Sequence, residues 1–240
     1  MSTIGFVVKM CKICGKESEH KVIRSTNCFG SSDLDTRPPE MKRSTMHLWL
    51  MKCPYCNYVA EDIEHVSFKK DSDGNIVENH LENVQRINKL IHSKQYLQCD
   101  SIKFCNKLAK DFYRQYLIGK SNENTRQCMF ALLHCSWACD DVKDQDNANQ
   151  IRLLLVEYIV KLLETEDVEN MKESLVIVLL DAYRRTGCFD EMKVYAERVK
   201  DELTDDLIKQ LFSYELLLAE KKDVDCHTVS DAYNTLGVFM

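Results

Sequence analysis

Along most of the chain the apolar positions recur every three or four residues, the spacing of one face of an α-helix. Ile102, Cys105, Leu108, Ala109 and Phe112 fall at i, i+3, i+6, i+7 and i+10, and Met129, Leu132, Leu133 and Ser136 continue the rhythm. Read this way, the pattern predicts helices over 76–98, 100–118, 124–141, 147–165, 170–186, 189–201 and 204–222, and a short one near Val229 to Leu236. The punctuation agrees. Gly119 and Gly187 follow helical runs as C-terminal caps do, while Asn147, Asn170 and Asp190 stand near helix starts. The first quarter reads differently. Lys21–Ser25 and Met46–Lys52 have strand composition, and the second runs directly into Cys53.

Proline and glycine sharpen that division. All three prolines, Pro38, Pro39 and Pro54, lie in the first quarter, and only four of the seven glycines follow Tyr55. A proline-free stretch rich in Leu, Glu, Lys and Ala favours successive helices. The boundary is expected at the polar, turn-prone cluster Asp71–Asn75, which gives a first domain over 1–70 and a helical domain over 76–240. Within the latter, Ala182 to Ala196 resembles the turn of a tetratricopeptide repeat: aromatic, Gly four residues on, aromatic, an acidic pair, then small residues. One such unit cannot bury its apolar face alone, so stacked helical hairpins are expected, with a closed α-bundle as the alternative.

The chemistry sits in the first quarter. Cys11-Lys-Ile-Cys14 and Cys53-Pro-Tyr-Cys56 each present two thiols at a spacing that suits one tetrahedral metal ion. Gly15 and Asn57 follow the pairs, and both residue types tolerate the left-handed backbone that turns amides toward sulfur. A structural Zn2+ held by Cys11, Cys14, Cys53 and Cys56 is the expectation, and it makes the first domain a zinc ribbon. So small a sheet has little core, and structural zinc contributes about 10–16 kcal/mol in finger peptides. Four thiolates leave no coordination position for water, so the ion is read as structural rather than hydrolytic. His20 and His47 could in principle replace a cysteine, and Cys28 is read as packing. Cys128, Cys135 and Cys139 share a helical face with His134 nearby, but ligands two turns apart do not meet on one ion, so they are read as core. The fold class that follows is mainly α with a small β zinc-ribbon module, the ribbon preceding a tetratricopeptide-like helical-hairpin array.

Between the cysteine pairs lies Ser31-Ser32-Asp33-Leu34-Asp35-Thr36-Arg37-Pro38-Pro39. The proline after Arg37 favours extended backbone, which would place Asp33, Asp35 and Arg37 on one face. Ser32 and these three either recognise a ligand or clasp the loop by pairing internally. The series Cys-x-x-Cys-Gly, Ser-Ser-Asp-x-Asp-x-Arg-Pro and Cys-Pro-x-Cys-x-Tyr resembles a family of uncharacterised prokaryotic proteins known only as a domain of unknown function. The likeness extends to the Tyr183–Ala196 turn and to Lys221-Lys222-Asp223. It implies a zinc-ribbon-like head on tetratricopeptide-like helices and brings no catalytic residue with it. Asn57 stands where the usual second knuckle has Gly.

Charge narrows the function classes. The net charge is −6, distributed as +3 over residues 1–70 and −9 over the remainder. So small a basic excess gives weak grounds for nucleic-acid binding, although Lys42, Arg43 and Lys52 could meet a phosphate backbone. No phosphate-cradling Gly-rich loop, His-Glu-x-x-His or Gly-x-Ser-x-Gly occurs, so an enzyme is not the favoured class. Apolar runs such as Leu175–Leu180 fall far short of the ~20 residues that cross a bilayer. The opening residues lack the pattern of a signal peptide, and 12 cysteines without one fit reduced thiols in the cytoplasm. The expectation is a cytoplasmic zinc-binding adaptor with a protein or peptide partner on its helices and no membrane. The alternatives are a nucleic-acid-associated factor, or an enzyme or small-anion binder using Asp33, Asp35 and Arg37.

Overall fold

This computed structural model describes residues 2–65, 79–99, 106–164 and 171–237, with Asn75, Lys103 and Phe104 between. Over them the backbone forms ten α-helices and two two-stranded sheets, so the chain is mainly α with a small β part. Residues 71–74 of the expected linker, Ile102, Cys105 and Asn170 lie outside the described residues. The chain divides into two compact units, Met1–Asn27 with Ser44–Ala148, and Cys28–Arg43 with Asn149–Met240. The first unit continues well past residue 70, and Cys28–Arg43, in the middle of the segment between the cysteine pairs, belongs to the second.

The first unit opens with an antiparallel hairpin, β1 (Thr3–Met10) against β2 (Glu17–Ser25), registered from Ile4 opposite Ile23 to Met10 opposite Glu17. Alternating Ile, Phe and Val suit this pleated ribbon. A second, shorter pair, β3 (Met51–Lys52) and β4 (Val59–Ala60), brackets the Cys53 turn. Only the end of the strand expected over Met46–Lys52 forms. Met46–Leu48 instead makes a 3₁₀ turn, closed by the Leu48 amide donating to the Thr45 carbonyl at 2.8 Å. Tertiary packing is the reason: the Trp49 ring lies edge-on to His134 at 5.1 Å and to Trp137 at 6.5 Å, which draws the segment onto a helix.

That helix is α5 (Thr125–Asp140), the second arm of a hairpin with α4 (Lys107–Ser121). Asn106 and Asn124 cap the two helices by accepting from the Ala109 and Gln127 amides at 2.7 and 2.8 Å. Gly119 is not a C-terminal cap. It sits inside α4, where an added Cβ would come within 3.1 Å of Cys128 Sγ and Gln127 Cγ, so its bareness lets the helices close. The helix expected over 76–98 is two helices, α2 (His80–Ile91) and α3 (Lys94–Gln98). Ser93 breaks it by accepting from the Tyr96 amide at 3.3 Å. The buried aromatic and aliphatic residues of α4 and α5, Phe112, Tyr113, Met129 and Leu132 among them, form this unit's core.

In the second unit, α6 (Gln145–Leu163, entering at Asn149), α7 (Lys172–Arg185), α8 (Phe189–Val199), α9 (Asp206–Glu220) and α10 (Val229–Leu236) follow in order. Gly187 ends α7 with a φ of 75°, as its position in the sequence suggests. Leu175 to Leu180 are all buried, which is why this run of α7 carries no polar residue. The loop 28–43, ending in the single turn α1 (Glu40–Arg43), joins this unit. Among the described residues no helix is long and apolar enough to cross a membrane.

Candidate metal centre

Each cysteine pair rides on a tight turn whose geometry follows from one left-handed residue. Gly15 has a φ of 69° and Asn57 a φ of 63°. The Gly15 amide donates back to the Cys11 carbonyl at 2.8 Å, and the Asn57 amide to the Cys53 carbonyl at 3.0 Å. Asn serves in the second turn because its short polar side chain tolerates the left-handed region. The first turn ends β1 and the second joins β3 to β4, so two hairpins deliver four sulfurs to one place.

The sulfurs of Cys11, Cys14, Cys53 and Cys56 all lie within 4.8 Å of one another. Cys11 Sγ is 3.7 Å from Cys56 Sγ, and Cys14 Sγ is 3.6 Å from Cys53 Sγ. A tetrahedral ion with metal–sulfur bonds of about 2.3 Å sets its ligand sulfurs about 3.8 Å apart, a spacing that the Cys11–Cys56 and Cys14–Cys53 contacts match. A disulfide needs about 2.05 Å, and none exists among these thiols. Cys11, Cys53 and Cys56 are buried and Cys14 is partly exposed, the setting of a shielded site rather than an open one. Crowding divides the protons unequally. The sulfur contact with Cys56 pulls the Cys11 thiol down to about 5, and the same contact pushes the Cys56 thiol far up. Four adjacent sulfurs resist full ionisation by themselves, and a dication removes that resistance.

The turns are held from outside. Lys9, just before the first pair, bonds Asp62 at 2.9 Å and Glu64 at 2.7 Å, and the Lys12 amide donates to the Ile63 carbonyl at 2.8 Å. The Tyr96 hydroxyl donates to the Asn57 carbonyl at 2.9 Å, tying α3 to the second turn. Lys52 Nζ lies 3.0 Å from Asp111 Oδ1, which Arg114 also reaches at 2.7 Å, tying β3 to α4. These outer contacts were not legible in the sequence, because Tyr96 and Asp111 are ordinary helical residues there. His20 bonds Ser18 and His47 contacts the Ser44 carbonyl; neither joins the sulfur cluster. Cys128, Cys135 and Cys139 are buried, with Cys135 Sγ donating to the Ala109 carbonyl at 3.2 Å, as core thiols do. A surface cavity of about 450 Å³ in this unit is bordered by Tyr58, Asp62, His65, Gln115, Arg126 and Phe130.

Ser32, Asp33, Asp35 and Arg37 come together elsewhere, in the second unit. The backbone there is not extended: Thr36 has a φ of 70°, and the Asp33 amide donates to the Arg37 carbonyl at 2.9 Å. The result is a tight turn. Asp33 is 4% exposed, Asp35 3% and Arg37 5%. Asp33 Oδ2 accepts from Arg43 Nη2 at 2.7 Å, and Asp35 Oδ2 lies 3.5 Å from Arg185 Nη1. Burial, reinforced by Asp181, pushes the Asp35 carboxyl up to about 6 despite Arg185 and Arg152 nearby. The Leu34 amide donates to the His227 carbonyl at 3.0 Å, and the Val229 amide to the Ser32 carbonyl at 2.9 Å. Below the loop, Arg184 bonds Glu215 and Asp181, both at 2.7 Å, and burial pushes Glu215 up to about 8. Sequence reasoning missed Arg184, Asp181 and Glu215, since charges on helices read as solvated until the packing is known.

Compared with models of protein families, with curated proteins and with solved structures, the chain matches none. What fold and site define together is a mainly helical protein with a four-cysteine cluster able to hold a metal ion.

Proposed function

We propose that the chain is a zinc-binding interaction protein whose tetrathiolate ion is structural. The observation that carries this reading is the meeting of four sulfurs within 4.8 Å on two left-handed turns. A tetrahedral all-sulfur shell suits zinc or iron, and redox-inactive zinc suits a purely structural role. The ion would join two hairpins of only two strands each, a stabilising role. A full shell of protein ligands offers a substrate no open position. The Asp33-Asp35-Arg37 loop acts as a clasp, since its carboxylates face Arg43 and Arg185 and its backbone bonds residues 227–229. Two of the three cations considered for a phosphate backbone, Arg43 and Lys52, are engaged with Asp33 and Asp111. These features together favour binding over catalysis.

The test is elemental analysis of protein purified without chelator. One zinc per chain is expected, falling to about zero in Cys53→Ser, with chelation unfolding the hairpins and lowering the midpoint of tryptophan-monitored unfolding. Iron in place of zinc, with its visible absorbance, would refute the choice of metal. No stoichiometric metal would refute the centre itself.

A further inference from the structure

The β1–β2 hairpin turns its larger apolar residues outward. Ile4, Phe6, Val8 and Met10 occupy alternate positions on one face and are 45%, 56%, 63% and 51% exposed. The opposite face of β1 carries Gly5, Val7 and Lys9, and Lys9 is fastened to Asp62 and Glu64. Register is therefore pinned, and a slip of one residue would pull Lys9 out of its ion pairs. So the outward stripe is a fixed property of the ribbon. Four neighbouring large apolar side chains on one sheet face form the kind of patch that marks a docking surface.

Directly across the ladder from Ile4, Phe6, Val8 and Met10 stand Ile23, Lys21, Glu19 and Glu17. The face thus has an apolar column on β1 and a mostly charged column on β2. Lys21 Nζ lies over the Phe6 ring, 6.0 Å from its centroid. Among the described residues Lys21, Glu19 and Glu17 form no ion pair within the chain. Their charges remain available to a partner.

We propose that this face packs on the same face of a second copy of the chain. A two-fold axis between the faces, perpendicular to the strands, reverses strand direction but keeps each column over its own counterpart. If it passes midway between Phe6 and Val8, Phe6 of each copy meets Val8 of the other, and Ile4 meets Met10. The same operation sets Lys21 of each copy against Glu19 of the other. Apolar column on apolar column and two reciprocal ion pairs follow from one symmetry element, the self-complementarity of an isologous dimer. Ile23 is set against Glu17 only at the two ends of the charged column. The sheets would pack about 10 Å apart, as aligned sheets do. The patch is small beside a standard interface, so dissociation on the order of micromolar is expected. This inference deepens the interaction reading by naming its partner and does not depend on which metal is bound.

The experiment is sedimentation velocity on the full chain from about 1 to about 200 µM, with metal content measured on the same samples. Reversible dimerisation is expected for the natural chain. Val8→Asp, at an exposed position that leaves the fold intact by circular dichroism, should weaken it at least about tenfold. Lys21→Glu and Glu19→Lys should each weaken it about tenfold by setting like charges together. The double variant Lys21→Glu/Glu19→Lys should recover the natural affinity, and an equimolar mixture of the two single variants should form mixed dimers. A monomer at every concentration overturns the proposal. So does a dimer indifferent to Val8→Asp, and so does failure of the charge swap to restore association. Binding of a different protein by an otherwise monomeric chain would assign the face to another occupant. Loss of metal with dimerisation intact would refute the zinc reading and spare this one.

Discussion

Arg184 has no exposed surface and donates to Glu215, Asp181 and the carbonyls of Asp223 and Asp225 at 2.7 to 2.9 Å. A buried guanidinium is tolerable only when its donors are matched this completely. Arg184→Met would leave the Asp181 carboxylate in low dielectric without its cation and the buried Glu215 carboxyl without its donor, a loss of about 3–5 kcal/mol. Arg184→Lys should recover little, because an ammonium cannot reproduce the planar fork. Urea unfolding followed by far-ultraviolet circular dichroism measures both, and a Met variant as stable as the natural chain would contradict the network. At this scale sequence reading succeeds where one residue's own chemistry decides the outcome. Gly15 and Asn57 adopt the left-handed turns their types suggest. It fails where a neighbour from another element decides: Gly119 is small because Cys128 lies against it, and Thr36 is left-handed because the loop closes on itself.

Helices were the most legible elements, since the 3.6-residue period depends on burial along one face. The helices α5, α7, α8, α9 and α10 lie within about two residues of their expected spans, the margin by which helix ends fray. Met46–Leu48 and the break at Ser93 escaped because their conformations are set by Trp49 packing on α5 and by a side-chain cap. The cysteine turns were legible as a motif, but the loop between them was not, because its partners on α7 and in the first turn of α10 are about 150 to 200 residues distant. That loop behaves as a strap. Its fastening bonds run from Leu34 to His227 and from Val229 to Ser32, and Arg43 locks Asp33. Asp33→Ala removes one charge-assisted hydrogen bond at a partly exposed partner, a cost of about 1.5–3 kcal/mol to the loop. Amide exchange at Leu34 and Val229 should accelerate at least about tenfold, while α4 and α5 exchange unchanged. Equal exchange in both proteins would mean that the backbone bonds hold the loop without Asp33.

Across the whole molecule the buried titratable groups oppose one another in their response to pH. In the second unit burial raises Asp35 to about 6 and Glu215 to about 8, both above the ordinary carboxylate range. The folded unit then holds more protons than the unfolded chain, so its stability is full below about pH 4 for these groups and declines as pH rises through about 6 and about 8. In the first unit burial lowers His134, packed against Trp49 and Trp137, to about 4. Its folded form holds fewer protons than the unfolded chain, so this contribution grows as pH rises from about 4 to about 6.5. Hydrogen exchange read by mass spectrometry, corrected for the intrinsic pH dependence, separates the two. Between pH 5 and pH 8, peptides from α7 and α9 should lose protection while peptides from α4 and α5 hold or gain it. Glu215→Gln keeps an uncharged acceptor for Arg184 and should flatten the loss in α7 and α9. If the natural protein gains protection there as pH rises, Glu215 is ionised in the folded state and the Arg184 pair outweighs its burial.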